Sequence, residues 1–132
     1  MKILIAEDDL ASRIFLSEFL STYGTCDLTV DGIEALDAFL MALDEGEPYD
    51  LICLDIMMPK VDGLKALKAI RDIEKQRNIK DLERVKIIMT TALTDTNDVY
   101  EEFATGCEAY AAKPIDTEKL IDVMKGFGLL GR

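Results

Sequence analysis

Leu51-Ile52-Cys53-Leu54-Asp55 sets four apolar residues in a row and closes on an acid, and Ile56-Met57-Met58-Pro59-Lys60-Val61-Asp62-Gly63 follows it. A strand with one wet face alternates apolar and polar residues. A run that is apolar throughout is buried on both faces, as in a parallel sheet covered by helices. Ile3-Leu4-Ile5 reads the same way. Working outward from these two runs, β-rich segments are expected at Lys2–Ala6, Cys26–Val30, Leu51–Asp55, Val85–Thr90 and Ala109–Ala112.

The stretches between them carry the helical period. Ile14, Leu16, Phe19 and Leu20 form the first stripe, Ile33, Leu36, Phe39, Leu40 and Leu43 the second, and Leu64, Leu67, Ile70 and Ile73 the third. A fourth, weaker segment covers about Asn97–Thr105 with Val99, Tyr100 and Phe103, and a fifth holds Leu120, Ile121, Val123 and Met124. Asp31, Asp95 and Asp116 are placed to start helices, where a carboxylate accepts from free backbone N–H groups. The polar stretch Glu74–Glu83, with Asn78 in it, reads as an exposed helix end plus a loop. Strand alternating with helix predicts a doubly wound α/β sheet with helices on both faces. The length fits one domain, expected over residues 1–126, with a frayed tail at 127–132.

The 26 acidic residues outnumber the 15 basic ones, for a formal net charge of -11. Such a surface repels nucleic acid and anionic lipid, which are met by clustered Lys or Arg, so neither is expected as a direct partner. There is no histidine, which removes the commonest general base and zinc ligand. Cys26, Cys53 and Cys107 are odd in number and match no metal spacing, and Cys53 reads as a core residue. No secretory signal precedes the first run, and no apolar stretch approaches the roughly 20 residues that span a bilayer. The expected compartment is the reducing cytoplasm.

In an open α/β sheet, sites form beyond the carboxyl ends of the strands. Glu7, Asp8 and Asp9 follow the first run, Asp55 ends the third, Thr90, Thr91 and Ala92 end the fourth, and Lys113 and Pro114 end the fifth. Carboxylates gathered at one rim repel each other, and a hard divalent cation relieves that repulsion. A carboxylate can also attack phosphorus to give an aspartyl phosphate, while a hydroxyl and an ammonium hold the other phosphoryl oxygens.

The segments Ile3-Leu4-Ile5-Ala6-Glu7-Asp8-Asp9, Leu54-Asp55-Ile56-Met57-Met58-Pro59-Lys60-Val61-Asp62-Gly63, Met89-Thr90-Thr91-Ala92 and Tyr110-Ala111-Ala112-Lys113-Pro114 together resemble the response-regulator receiver family, in order and along essentially the whole chain. The resemblance implies a five-stranded, flavodoxin-like (CheY-like) three-layer sandwich. It implies that Asp55 accepts a phosphoryl group from a histidine kinase or a histidine phosphotransfer protein, with Mg²⁺ as cofactor. Asp8 would be a direct Mg²⁺ ligand and Glu7 one acting through water, joined by Asp55 and the backbone carbonyl of Met57. Thr91 would be the switch hydroxyl, Lys113 the lysine that pairs with the phosphoryl group, and Tyr110 an aromatic that turns inward on activation. Pro114 matches a proline often joined by a cis bond. The chain would be a signalling switch that catalyses its own phosphorylation rather than a metabolic enzyme, acting on a downstream protein as a monomer or as a phosphorylation-linked dimer.

Several residues carry a second reading. Asp9 reads first as a helix cap rather than a metal contact, Thr90 as a strand residue facing the core, and Asp62-Gly63 as turn chemistry with Gly63 able to take positive φ. The family keeps Asp more often than Glu at the position of Glu7, and the stretch from Ile73 to Arg84 is longer than usual. An aspartyl-phosphate phosphatase of the haloacid dehalogenase type would need a second Asp two residues after Asp55, where Met57 stands. A receiver-like module that is never phosphorylated would not need the full acid set with Thr91 and Lys113. A dinucleotide-binding domain would need a Gly-rich first turn instead of Glu7-Asp8-Asp9.

Overall fold

A computed structural model of the chain describes residues 1–92 and 106–130. Five parallel strands form one sheet in the order β2-β1-β3-β4-β5. β1 (Lys2–Ala6) and β3 (Leu51–Asp55) cover the residues expected of them. Their side chains are buried on both sides, which is what made them legible. β2 (Thr25–Thr29) begins one residue before the expected run and leaves Val30 outside it. It is an edge strand whose Asp27 and Leu28 face solvent, so its pattern marks its ends poorly. β4 (Lys86–Ala92) starts one residue later than expected and runs on through Thr91, and β5 (Ala109–Lys113) takes in Lys113.

Four helices are described: α1 (Leu10–Leu20), α2 (Gly32–Asp44), α3 (Gly63–Gln76) and α4 (Thr117–Gly126). The fourth helical segment of the sequence, about Asn97–Thr105, and Asp95 lie outside the described residues. Side chains alternate across a strand, so β1 sends Leu4 and Ala6 to one face and Ile3 and Ile5 to the other. The first set packs with Ile52, Leu54, Ile87 and Met89 beneath Phe39 of α2 and Ile70 of α3. The second packs with Leu51, Cys53 and Ile88 beneath Leu16 and Leu20 of α1 and Leu120 and Met124 of α4. The result is the expected doubly wound sandwich of helix, sheet and helix.

Three helices end alike. Gly46, Asn78 and Gly128 have φ of 74, 58 and 79°. Each donates back into the last turn, as does the residue after it, so that two orphan carbonyls are satisfied per helix. Asn78 stops α3 in this way, and a short 3₁₀ turn over Asp81–Glu83 leads into β4, which accounts for the long Ile73–Arg84 segment.

Three expectations are corrected. Ile14 and Ile33 are 47% and 45% exposed and do not belong to the inward stripes of α1 and α2. Glu74 is not part of an exposed helix end: it is 2% exposed and bonded to Arg71 and to the Val85 N–H. Of the tail expected to fray, residues 127–130 are packed: Phe127, Leu129 and Leu130 cover the Ile3 cluster and the Leu129 N–H donates to the Met124 carbonyl, while residues 131 and 132 lie outside the described residues.

Candidate functional site

The strand order reverses direction at β1: the chain leaves β1 for β2 on one side and returns as β3 on the other. The loops after β1 and β3 therefore part, and a crevice opens at their carboxyl ends. Glu7 continues β1, its N–H donating to the Thr29 carbonyl at 3.0 Å, and its side chain is buried. Asp8 follows and is exposed. Asp55 is the last residue of β3, 4% exposed, with Thr90 of β4 opposite it in register. One carboxylate oxygen from each of Glu7, Asp8 and Asp55 can be chosen so that all lie within 4.8 Å of one another. Lys113, at the end of β5, brings its ammonium to 2.7 Å from Glu7 Oε1 and 3.3 Å from Asp55 Oδ1.

Burial, then the hydrogen bond and charge of Glu7, push the Asp55 pKa up to about 7 against the pull of Lys113. Burial acts to lower the Lys113 pKa, but its hydrogen bond to Glu7 and the charges of Asp55 and Glu7 outweigh it and hold the ammonium above its ordinary value. Three carboxyls meet with the Lys113 ammonium as the cation among them, and Glu7 Oε1 is buried with that ammonium 2.7 Å away. This donor set of carboxylate oxygens fits a hard divalent ion such as Mg²⁺.

The structure thus brings Glu7, Asp8, Asp55 and Lys113 together. Thr91 is buried one step beyond Thr90 along β4. Thr90, expected to face the core, is buried as well. Met57 lies two residues past Asp55 with its side chain 71% exposed. Tyr110 is on β5 and 48% exposed, and the Lys113–Pro114 bond is cis. Asp9 is the cap of α1, its Oδ2 accepting from the Ser12 N–H at 2.9 Å. Asp62 caps α3 by accepting from the Lys65 N–H. Gly63 does not take positive φ. It is required because a Cβ there would stand 2.2 Å from the Asp55 carbonyl oxygen.

Sequence reading missed Arg13. Its Nη1 donates to the carbonyls of Glu7 at 2.9 Å and Asp8 at 3.3 Å, bracing the acidic loop from the next turn of α1. The one available signal was a lone arginine five residues after Asp8 in a helix otherwise poor in basic residues. It also missed Arg71, which bonds Glu74, Glu108 and the Gly106 and Val85 carbonyls at the other end of the sheet.

Fold and rim together define the class. Residues 3–125 match the family model described as the response regulator receiver domain, and the chain belongs to that family. It is 32% identical over 130 residues to the osmosensing histidine protein kinase SLN1 of Saccharomyces cerevisiae, covering 96% of this chain and 10% of that protein. It is 34% identical over 131 residues to hybrid signal transduction histidine kinase L of Dictyostelium discoideum, covering 98% of this chain and 7% of that one. The chain spans a tenth or less of the length of these two relatives.

Its structure is similar to a chain of the co-crystal structure of the S. cerevisiae histidine phosphotransfer signaling protein Ypd1 and the receiver domain of its downstream response regulator Ssk1. The TM-score is 0.81 and the identity 28%, over 99% of this chain and 90% of that one. It is also similar to the receiver domain of sensor histidine kinase PA1611 from Pseudomonas aeruginosa PAO1, which has a magnesium ion coordinated in the active site cleft. There the TM-score is 0.75 and the identity 29%, over 96% and 97% of the two chains.

Proposed function

We propose that the chain is a phosphorylation-operated switch in which Asp55 takes a phosphoryl group from a phosphohistidine on a sensor kinase or a phosphotransfer protein. The observation that carries this reading is the meeting of three carboxyls with the Lys113 ammonium at one strand-end crevice. An Asp55 oxygen attacks phosphorus, the P–N bond breaks, and its electron pair stays with the imidazole nitrogen, which takes up a proton from solvent. Asp8, Asp55 and the Met57 carbonyl would hold Mg²⁺ directly and Glu7 through water; the ion, when bound, supplies neutralising charge for the phosphoryl oxygens. Lys113 stays protonated and pairs with one phosphoryl oxygen.

Once Asp55 carries the acyl phosphate, the Thr91 hydroxyl turns to a phosphoryl oxygen, and the space it leaves lets Tyr110 turn inward from its half-exposed position. A groove of about 590 Å³ between β5 and α4, lined by Tyr110, Lys119 and Val123 among others, is the surface this movement reshapes. Altered affinity of that surface for a downstream protein, or for a second copy, would be the output. Among the described residues no helix is long and apolar enough to cross a membrane. Cys26, Cys53 and Cys107 are free thiols, in keeping with the reducing cytoplasm we infer.

Intact mass spectrometry after exposure to acetyl phosphate tests the proposal. The parent should gain the mass of one phosphoryl group with Mg²⁺ and none when the ion is chelated, and Asp55→Asn should gain none. Equal labelling of Asp55→Asn and the parent would refute it.

A further inference from the structure

We propose that Asp31, Gly32 and Lys60 form a clasp between the β2–α2 and β3–α3 loops, and that the clasp sets the position of the loop bearing the Met57 carbonyl and so the affinity of the rim for a divalent cation. The inference rests on the reading of the rim given above.

Gly32 opens α2, and a Cβ built on it would stand 1.9 Å from the Val61 carbonyl oxygen. Backbone rests directly on backbone there, so any side chain at position 32 must displace Val61 or the start of α2. Beside this contact, Lys60 has a φ of 67°, a left-handed conformation that residues with a Cβ adopt at a cost. Its ammonium reaches 3.4 Å from Asp31 Oδ2, while Asp31 Oδ1 accepts from the Glu34 N–H at 2.9 Å. The residue strained before Val61 is thus tied to the acid that precedes the glycine on which Val61 rests.

The loop is also fixed at its ends. The Ile56 N–H donates to the Thr90 carbonyl at 3.1 Å, the Gly63 N–H donates to the Ile56 carbonyl at 2.8 Å, and Gly63 packs on the Asp55 carbonyl. With both ends held, Pro59 stiffening the middle and Met58 packed in the Phe39–Ile70 core, a displaced Val61 shifts the short stretch that carries Met57. These are positioning residues: none touches a reacting atom.

The test is an Mg²⁺ titration of the full chain followed by amide NMR shifts, with acetyl phosphate labelling measured at saturating Mg²⁺. Gly32→Ala should raise the Mg²⁺ Kd about tenfold, as loss of a support behind a metal ligand does, yet label at close to the parental rate once saturated. Lys60→Gly, which suits the left-handed backbone, should keep or raise stability while raising the Kd in the same direction by less. Ile70→Val, in the core beneath α3, should lower stability and leave the Kd unchanged. A parental Kd in both rim variants overturns the clasp, and Lys60→Gly decides alone if Gly32→Ala does not fold. A parent that neither binds Mg²⁺ nor is labelled overturns the reading of the rim itself, and the clasp with it.

Discussion

Asp55 holds its proton to about pH 7 in the folded chain, whereas an exposed aspartate in the unfolded chain releases it near its ordinary value of 3.8. Across that window the folded state binds one more proton than the unfolded state, so stability falls as pH rises from about 4 to about 7. In chelator, Asp55→Asn should therefore unfold at higher denaturant than the parent at pH 8, and the advantage should vanish at pH 5, where Asp55 is protonated. Parallel denaturation curves for the two proteins at both pH values would show that Asp55 titrates normally. The caps Asp9 and Asp31 act with the opposite sign. Backbone N–H groups of Ser12 and Glu34 hold their pKa values down, so their contribution is present above the unfolded value and is lost only as pH falls below it. Acid titration of the caps and neutral titration of the rim thus occupy separate ranges. The rim residues were readable in the sequence because each is a polar residue ending an apolar strand. Arg13, Gly32 and Lys60 were not: the first two act on backbone atoms, which carry no residue signature, and Lys60 reaches an acid 29 positions away in the chain.

At the scale of elements, the junction of α3, β4 and the start of β5 depends on one arginine. Arg71 bonds Glu74 within α3 and Glu108 before β5, and Glu74 and Glu108 in turn accept from the N–H groups of Val85 and Ile87 flanking the start of β4. Arg71→Met strands the buried Glu74 carboxylate and should cost about 3–5 kcal/mol in chemical denaturation; Arg71→Met with Glu74→Leu should recover most of that loss. Asp62→Ala removes the cap of α3 and should cost about 1 kcal/mol without altering the burial of Asp55. The elements themselves were legible to different degrees for a physical reason. β1 and β3 are covered on both faces, and their apolar runs end where burial ends. β2 is an edge strand, and on α1 the exposed Leu10, Ile14 and Phe15 follow the helical period without facing the sheet. Periodicity reveals a stripe but does not say what the stripe touches.

For the whole molecule, folding and cation binding are linked. An ion that binds only the folded rim stabilises it by RT ln(1 + [L]/Kd), about 1.4 kcal/mol at ten times the Kd. For a chain of this size that corresponds to a rise in Tm of roughly 3–6 °C, measurable by scanning calorimetry with and without Mg²⁺. Asp8→Ala removes one of the converging carboxylates and should abolish most of that rise. No effect of Mg²⁺ on the parent Tm would count against the site.

By itself the sequence determined the alternation of strand and helix, the inner strands, and the residue types at the carboxyl rim. These follow from burial patterns a few residues long and from where an apolar run stops. Only the tertiary structure decided that β1 lies between β2 and β3, that Lys113 neutralises Glu7 as well as Asp55, that Arg71 ties α3 to Glu108, and that Val61 rests on Gly32. The strand order depends on which neighbour each ladder finds, and the other three join segments far apart in the chain through one or two isolated contacts. A single contact leaves no period in the sequence, and the proton affinity it produces depends on burial that the assembled fold alone supplies.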